Sequence, residues 1–497
     1  MLQGRSSATF AARQGWVRGD AAAFLWFLAF ALLTRFSVFG DGNYTNDEMF
    51  YLLVGQRAHE GLLPYVDIWD RKGPGLFLVY YLIAAFSWSV LAYQIAAWLA
   101  AAATAGVVFL IAGRVADRRG ALFAGTFYLA LLPLYGGGGG QSPVFYNLPM
   151  ALAALLVVRT RDDLRQGRAG MRVHLAMALA GFAITFKQTA VVEAVFLGCY
   201  CLWQLRAGEL RPLGLVLRAV PLALAGAAPM LAFGLAMAAA GHFAEFWQAM
   251  VGSNLSRTYF PSNDTAARAA QFALLCSPAI LLGVAGVLSG DRRAPWAGAF
   301  LGGWLLAAAG GVAIVPNFFE HYALPFMLPA SVAASCVFLG QRIKPLYAYA
   351  FVAVILAMGP AFHFGDRQRS REAMASLVEG IKRRDPHPRL LVYEGPVYLY
   401  RRLESFPPSP LQYPMHLFFP YEDNASQFDT AAEMRRILAW RPTVVVMYRD
   451  FPAAQENPRT SPMLRSYVAR HCREWFTGRA IQAFRENELV VYGDCRP

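Results

Sequence analysis

The sequence contains little charge for its length. Asp, Glu, Lys and Arg make up 15% of the 497 residues, whereas hydrophobic residues make up 57%. Soluble domains usually carry about 25% charged residues, so the composition excludes an ordinary soluble protein and favours a chain that crosses a membrane repeatedly. The net charge of +13 comes from short basic clusters between apolar runs, which is typical of membrane loops. We therefore expect membrane lipids, and no nucleic acid, as partners.

Lysine and cysteine are scarce, so the few that occur are informative. The only lysines are Lys72, Lys187, Lys344 and Lys382. Four of the six cysteines fall in apolar runs, where a thiol behaves as a small apolar group. The other two, Cys472 and Cys495, lie in the polar tail, and the sequence leaves open whether they form a disulfide or stay free.

Motifs for metals and nucleophiles are also missing. No H-x-H, D-x-D or C-x-x-C spacing occurs, so a protein-bound metal is not indicated, and no cofactor is expected. No G-x-S-x-G elbow is present either. The run "GGGGG" at 136–140 lacks the Lys-Ser/Thr of a phosphate-binding loop. It predicts a flexible outer loop.

Eleven apolar runs are predicted to span the membrane. Residues 1–19 carry three arginines and no A-x-A cleavage site follows the first run, so 20–39 is predicted to be a retained anchor behind a cytoplasmic N-terminal segment. The further predicted spans are 92–113, 120–135, 144–159, 172–188, 190–206, 214–239, 270–289, 295–315, 322–340 and 345–363.

The run at 73–88 is shorter than the ~20 residues that a span needs, and charge decides its placement. If it lies along the outer surface as an amphipathic helix, 18 Lys and Arg residues fall in cytoplasmic segments and six outside, as the positive-inside rule requires. The membrane domain is then 20–363, with a first outer loop at 40–91. The protein is expected in the bacterial cytoplasmic membrane.

The tail at 364–497 is polar and is predicted to be a small extracytoplasmic α/β domain. The runs "RLLVYEG", "PTVVVMYRD" and "ELVVYGD" favour strands because they are rich in β-branched residues. The segment "SPMLRSYVARH" favours a helix with Ser461 as N-cap and Pro462 as its first residue.

The first outer loop concentrates ionisable residues just outside the first span. Asp47 and Glu48 in "NDEMFY" follow that span by a few residues. Charges at a membrane edge are costly unless they face a wet cavity, which favours a functional role. The alternative is structural, since "TNDE" is also typical of a helix N-cap followed by acidic residues in the first turn.

Two further carboxylates and a basic pair follow in the same loop. Asp67 and Asp70 precede Arg71, Lys72 and the turn "GPG". A cation held at headgroup depth by such a turn suits a lipid phosphate. The alternative for Lys72 is an ordinary snorkelling lysine.

Other candidates lie farther along the chain. Lys187 in "FKQT" ends one predicted span, and Glu193 follows it as a possible partner. The segment "EHYALPFMLP" sets Glu320, His321 and Tyr322 at the outer end of another span. A lone His is usually structural, so the sequence does not make His321 catalytic.

Transfer of a sugar from a polyprenyl phosphate requires one carboxylate and one or two cations at the membrane surface. The phosphate leaving group gains negative charge that fixed cations stabilise, and one carboxylate takes the proton of the acceptor hydroxyl. The competing class is a lipid or glycan transporter, or flippase, which uses charges along its path. A third class is an assembly protein whose tail binds a partner.

The layout resembles the GT-C glycosyltransferases that use polyprenyl-phosphate sugars, which include protein O-mannosyltransferases and lipid A aminoarabinose transferases. The matching segments are "NDEMFY", "DRKGPG", "FKQT", "YNLPMALAALLVV" and "EHYALPFMLP". The resemblance implies an inverting transfer, on the outer face of the membrane, to a lipid, glycan or protein hydroxyl.

The resemblance also implies roles for individual residues. Asp47 matches the catalytic carboxylate with Glu48 beside it, and Lys72 matches the residue at the donor phosphate, where Arg71 and Lys187 are expected to assist. Asp67, Asp70, His321, Tyr322 and Glu320 remain candidates for the substrate pocket. The turn has Lys-Gly-Pro where the aminoarabinose enzymes have Lys-Pro-Pro, and the His-Pro-Pro motif of the mannosyltransferases is absent, which weakens the case for a protein acceptor.

Overall fold

The computed structural model describes residues 4–207, 212–256, 262–289, 295–337, 345–450 and 455–495. Within them the chain is mainly helical, with one small sheet near the C-terminal end, as the sequence predicts. The helices of the N-terminal part are α1 (Gly4–Arg35), α2 (Asn46–His59), α3 (Pro74–Phe86), α4 (Val90–Ala112), α5 (Arg118–Leu134), α6 (Ser142–Arg159), α7 (Arg161–Arg165), α8 (Met171–Ile184), α9 (Val191–Ala207), α10 (Pro212–Ala239), α11 (Phe243–Trp247), α12 (Ser253–Leu255), α13 (Ser262–Leu275), α14 (Ser277–Leu288), α15 (Pro295–Ala313), α16 (Leu324–Ala334) and α17 (Pro345–Met358).

Six stretches of helix among the described residues are long and apolar enough to cross a membrane. They are Asp20–Val38, Val90–Ala112, Ser142–Arg159, Gln188–Ala207, Leu213–Ala239 and Trp296–Ala313. A seventh is α13 with α14, which together are bent by 65°. The protein is therefore a multi-pass membrane protein. Each of the eleven predicted spans coincides with helix in its described residues, and 338–340 of the span 322–340 lie outside them. Several of these helices are shorter than a full span, and the count of eleven stays a prediction.

Helix α3 occupies the ambiguous run. Its 13 residues rise about 20 Å, less than the ~30 Å hydrocarbon core. Pro74 opens the helix, where its missing N–H costs nothing, and Leu82 and Phe86 are 51% and 91% exposed. This length and this exposed apolar surface favour the predicted placement along the outer surface.

Helix α2 follows the first span and is buried along most of its length. Its N-terminal turn carries Asp47 and Glu48, where the helix dipole favours negative charge. The following residues, from Met49 to Gln56, are all buried. α2 packs on α3, and Gly55 permits this because a Cβ there would lie 2.6 Å from the carbonyl oxygen of Tyr80.

The "GGGGG" run is buried, and the prediction of a flexible loop is wrong. Arg35, at the end of α1, donates hydrogen bonds of 2.6–2.9 Å to the carbonyl oxygens of Gly137, Gly138 and Gly139. A Cβ at Gly139 would lie 2.0 Å from Oε2 of Glu48. Glycine is needed here for close packing, so the run is a fixed connection between α5 and α6.

The C-terminal part contains a four-stranded sheet in the order β1-β2-β4-β3. β1 (Leu390–Val392) is parallel to β2 (Val444–Tyr448), β2 is antiparallel to β4 (Glu486–Gly493), and β4 is antiparallel to β3 (Arg473–Ile481). The helices are α18 (Phe364–Arg384), α19 (Tyr398–Arg402), α20 (Met415–Phe418), α21 (Thr430–Ala439) and α22 (Ser461–His471).

The three predicted strands are confirmed as β1, β2 and β4, and Cys472 and Cys495 form a disulfide. Helix α22 is present, but Thr460 is the residue before it and Ser461 is its first residue. The sequence did not predict β3. Its "REWFTGR" segment is a half-exposed edge strand with polar residues and a glycine, so the usual apolar signal is weak.

A buried ion pair joins the C-terminal part to the end of the first span. Arg367 in α18 donates to Asp41 at 2.9 Å and to the carbonyl oxygen of Gln482 at 2.8 Å. Ser370 donates to the same carboxylate at 2.9 Å. The β3–β4 hairpin is thereby held over the N-terminus of α2, and its Ala483 N–H bonds the carbonyl oxygen of Tyr44 at 3.0 Å.

Candidate active site

Asp47 lies at the centre of a cluster built by four separate segments. The Tyr413 hydroxyl donates to Oδ1 at 2.6 Å, and the Gln141 amide donates to Oδ2 at 3.2 Å. The Lys72 ammonium nitrogen is 3.9 Å from Oδ2. The side chains of Asp47 and Lys72 are 16% and 26% exposed, so both remain within reach of a substrate.

The surroundings keep Asp47 ionised. Burial alone would raise the pKa of the Asp47 carboxyl. The charge of Lys72 and the hydrogen bonds from Tyr413 and Gln141 outweigh burial and hold this pKa well below its ordinary value. Asp47 is therefore a carboxylate throughout the physiological pH range.

Lys72 is held by its backbone. Its N–H donates to Oδ1 of Asp70 at 2.9 Å, and its carbonyl oxygen accepts from the Tyr65 hydroxyl at 3.0 Å. Burial would lower the pKa of the Lys72 ammonium, but the carboxylates of Asp47 and Asp70 raise it above its ordinary value. Lys72 therefore stays protonated at neutral pH, and its ammonium nitrogen lies 5.4 Å from the centre of the Tyr51 ring.

The "GPG" turn fixes Lys72 against the "FKQT" segment. The N–H of Gly75 donates to the carbonyl oxygen of Thr185 at 2.9 Å, and a Cβ at Gly73 would lie 2.0 Å from that oxygen. Glycine is required at position 73 for this approach. The two segments that the sequence singled out separately therefore meet here.

Lys187 and Tyr322 form the second part of the site. The Lys187 ammonium lies 3.9 Å from the centre of the Tyr322 ring, a cation–π contact. Both residues line a narrow cleft that also contains Glu193. Glu193 itself accepts a hydrogen bond of 2.8 Å from the Trp304 indole.

His321 is a neutral imidazole in this arrangement. Burial is the main cause that lowers its pKa to about 3, and the nearby Lys187 and Lys72 lower it further, whereas Asp47 acts in the opposite direction. Its ring stacks on Phe319, with the ring centres 6.0 Å apart. His321 therefore contributes a polar but uncharged side chain to the site at neutral pH.

Glu48 does not share the environment of its neighbour Asp47. It is fully buried against Gly139, beneath the glycine run. Burial raises the pKa of the Glu48 carboxyl to about 8, and the nearby polar groups of Gly140 and Tyr93 only partly offset this rise. At neutral pH the group is mostly protonated, which suits a packing role better than a catalytic one.

The remaining candidates from the loop lie outside the cluster. Arg71 forms a two-pronged ion pair with Glu422, one contact of which measures 2.8 Å. Asp67 is exposed and caps a turn by accepting from the Leu63 N–H at 2.8 Å. The Asp70 carboxylate accepts a hydrogen bond from the backbone N–H of Lys72, and its Oδ2 is 3.9 Å from Nε2 of His416. The geometry therefore favours positioning roles for Arg71 and Asp70, whereas Asp67 stabilises only its own exposed turn.

Two residues of the cluster carried no sequence signal. Gln141 directly follows the glycine run, and Tyr413 comes from the polar tail, 366 residues after Asp47. The Tyr413 ring stacks on Phe50 with ring centres 4.7 Å apart. Only the folded chain brings these residues together. Among the described residues, no three His, Cys, Asp or Glu side chains converge as metal ligands.

The fold is similar to that of ArnT from Cupriavidus metallidurans. The crystal structure of ArnT bound to undecaprenyl phosphate is 15% identical, with a TM-score of 0.53, over 96% of this chain and 98% of that chain. The apo structure gives a TM-score of 0.51 at 15% identity, over 97% and 98% of the two chains. No protein-family model and no curated protein matches the sequence. The chain therefore has the GT-C fold that its short motifs indicate, and at this identity the likeness shows the fold alone.

Proposed function

We propose that the protein is a membrane glycosyltransferase that moves a sugar from a polyprenyl-phosphate donor to an acceptor hydroxyl, with inversion, on the outer face of the bacterial cytoplasmic membrane. The observation that carries the proposal is the partly exposed Asp47–Lys72 pair, with its oxygen–nitrogen distance of 3.9 Å. Lys187 and Tyr322 extend this pair to the neighbouring cleft. The undecaprenyl phosphate bound by ArnT, whose fold this chain shares, supports the same donor class.

The reaction follows from these charges. Asp47 takes the proton of the acceptor hydroxyl, whose oxygen forms a bond to the anomeric carbon of the sugar. The bond from that carbon to the phosphate oxygen breaks, and its electron pair stays on the phosphate. Lys72 and Lys187 stabilise the added negative charge, which is the largest single need of such a transfer. Polyprenyl phosphate leaves, and the proposal uses no metal or other cofactor.

The ion pair between Asp47 and Lys72 also gives the donor a second role. A carboxylate with a strongly lowered pKa is a weak base. When the donor phosphate attracts Lys72, it relieves the lysine's effect on Asp47, and the pKa of Asp47 moves back toward its ordinary value. The base is then strengthened only when a donor is present, which limits proton transfer to the loaded site.

The proposal is tested with the purified full-length protein and synthetic polyprenyl-phosphate sugars. Release of polyprenyl phosphate in detergent, together with an acceptor glycoside of inverted configuration, is the expected result. A transporter needs two sealed compartments and leaves the donor intact. If no member of a panel of common hexosyl and pentosyl donors is consumed, while vesicles containing the protein move lipid-linked sugar across the bilayer, the transport alternative replaces the transferase.

A further inference from the structure

A cavity of about 470 Å³ lies beside the candidate active site, and the proposed sugar transfer does not yet use it. Three elements form its wall: α13, the loop at 317–320, and the tip of the β3–β4 hairpin. The polar side chains among its lining are Arg268, Gln271, Asn317, Glu320 and Arg485. Its volume is within the range of small-molecule binding sites.

Asn317 indicates that the cavity is built to hold a polar ligand. Its side chain lines the cavity, is 4% exposed, and its Oδ1 has no hydrogen-bond partner among the described residues. A buried amide oxygen without a partner is unfavourable unless a ligand or water supplies a donor. The next residue, Phe318, has a φ of +47°, which is strained for a bulky side chain and is characteristic of functional sites.

The lining chemistry suits a saccharide. Phe318 and Phe272 present aromatic rings whose centres are 5.6 Å apart, and such faces pack against the C–H surface of a sugar. The amides, Glu320 and the arginines supply donors and acceptors for hydroxyl groups. An alkyl chain would leave Oδ1 of Asn317 without a donor, so the cavity does not suit a lipid tail.

Two segments that line the cavity are directly connected to the catalytic cluster. Glu320 begins the turn Glu320–Ala323, whose next residues are His321 and Tyr322. The hairpin tip that supplies Arg485 bonds the backbone of Tyr44 at 3.0 Å, three residues before Asp47. A ligand that contacts Glu320 and Arg485 is therefore bound by residues of segments that also contact or form the catalytic cluster.

We propose that this cavity binds the saccharide unit of the acceptor whose hydroxyl attacks the donor sugar, so that the acceptor is a glycan or glycolipid. This inference rests on the proposed transferase function. Glu320 and Asn317 then serve as specificity residues, and Asp47 remains the base.

The test uses the full-length protein, a radiolabelled polyprenyl-phosphate sugar, and membranes of a deletion strain as the source of acceptors. Gln271→Trp fills the cavity, Asn317→Leu removes its buried amide, and Arg485→Ala changes only the exposed hairpin tip. Ala273→Trp, an exposed position on the opposite face of α13, is the matched control. Two rates are measured for each variant: hydrolysis of the donor in the absence of membranes, and transfer of the labelled sugar when the membranes are present.

We expect each cavity variant to lose at least tenfold in transfer while donor hydrolysis stays within twofold of wild type, and Ala273→Trp to match wild type in both. The labelled product should resist protease and yield a labelled oligosaccharide. Unchanged transfer in Gln271→Trp and Arg485→Ala, or label on protein or on a lipid without sugar, would overturn the inference. Absence of donor turnover by the wild type would instead overturn the transferase proposal and the inference with it.

Discussion

Two adjacent acidic residues at the start of α2 have opposite environments. Asp47 is partly exposed, is bonded by Tyr413 and Gln141, and has a lowered pKa. Glu48 is buried beneath the glycine run and has a raised pKa. Burial raises the pKa of both carboxyls, but at Asp47 the charge of Lys72 and two hydrogen bonds outweigh burial, whereas at Glu48 burial prevails over the opposing effect of Arg35. The chemistry of the pair is therefore assigned to Asp47.

Substitution of Asp47 tests that assignment. We expect Asp47→Asn to reduce sugar transfer by at least 10²-fold, because general base catalysis contributes about 10²–10⁴-fold, while the protein still inserts and accumulates. Asp67→Asn is the matched control, since Asp67 lies in the next loop but is exposed and away from the cluster. Transfer by Asp47→Asn within a few-fold of wild type would remove the residue from the mechanism.

The Asp47–Lys72 pair makes a prediction about pH. With Lys72 present, Asp47 keeps its charge as the pH falls below the ordinary Asp range and loses it only at its lowered pKa. Lys72→Gln removes the main favourable charge, so the pKa of Asp47 rises and the acid limb of the transfer rate moves to higher pH, by about one pH unit or more. The pH dependence of kcat/KM for both proteins measures this.

Lys382→Gln is the control for the loss of a lysine outside the site. An acid limb at the same pH in wild type and Lys72→Gln would show that the ion pair does not govern the base. His321 is neutral above its pKa of about 3, so neither protein should show an inflection near pH 6.5.

At the scale of elements, the buried glycine run connects the end of α5 to the catalytic cluster. Arg35 binds three of its carbonyl oxygens, and the Tyr80 hydroxyl donates to the Gly140 carbonyl oxygen at 2.7 Å. The next residue is Gln141, which donates to Asp47. The run thus determines where Gln141 meets the carboxylate, and small residues are needed because side chains pack against it on several sides.

Gly139→Ala tests this connection. The added Cβ would lie 2.0 Å from the Glu48 carboxylate, and such overpacking costs about 1–3 kcal/mol of folding free energy. We expect a lower thermal midpoint in detergent together with weaker transfer, because Gln141 is displaced. Gly170→Ala has nothing within 4 Å of the new Cβ and should leave both quantities unchanged. Equal stability of the two variants would contradict a packed glycine run.

The elements also show where sequence patterns succeed. Apolar runs predicted the positions of the membrane helices, and β-branched runs predicted β1, β2 and β4, because both signals depend on the side chains of the segment itself. The sequence did not predict β3 or the fixed conformation of the glycine run. The edge strand β3 is stabilised by pairing with β4, and the glycine run is fixed by hydrogen bonds from Arg35. Neither partner is local in sequence.

At the scale of the whole molecule, the C-terminal part completes the site. Tyr413 bonds Asp47, Glu422 binds Arg71 beside Lys72, and the hairpin tip contacts Tyr44. Arg71 and Glu422 are each about 10% exposed, so the pair is largely desolvated. The tail is therefore a structural component of the active site.

The Arg71–Glu422 pair predicts a large stability effect. Glu422→Ala leaves the Arg71 guanidinium buried without its carboxylate, which costs about 3–5 kcal/mol. Glu474→Ala breaks an exposed contact with Arg449 in the same part of the chain, where such pairs contribute about 0–1 kcal/mol. Thermal unfolding of both purified variants distinguishes the cases, and similar midpoints would show that the Arg71–Glu422 pair carries little stability.

The sequence by itself determined that this is a multi-pass membrane protein with a small C-terminal sheet, and it singled out Asp47, Lys72, Lys187 and Tyr322. These follow from composition, local periodicity and short motifs, which need no knowledge of distant residues. Only the tertiary structure decided that Asp47 and Glu48 differ, that Arg71 belongs to Glu422, and that Gln141 and Tyr413 reach the carboxylate. The physical reason is that burial, pKa and hydrogen-bond partners depend on contacts between segments hundreds of residues apart, and the sequence does not record those contacts locally.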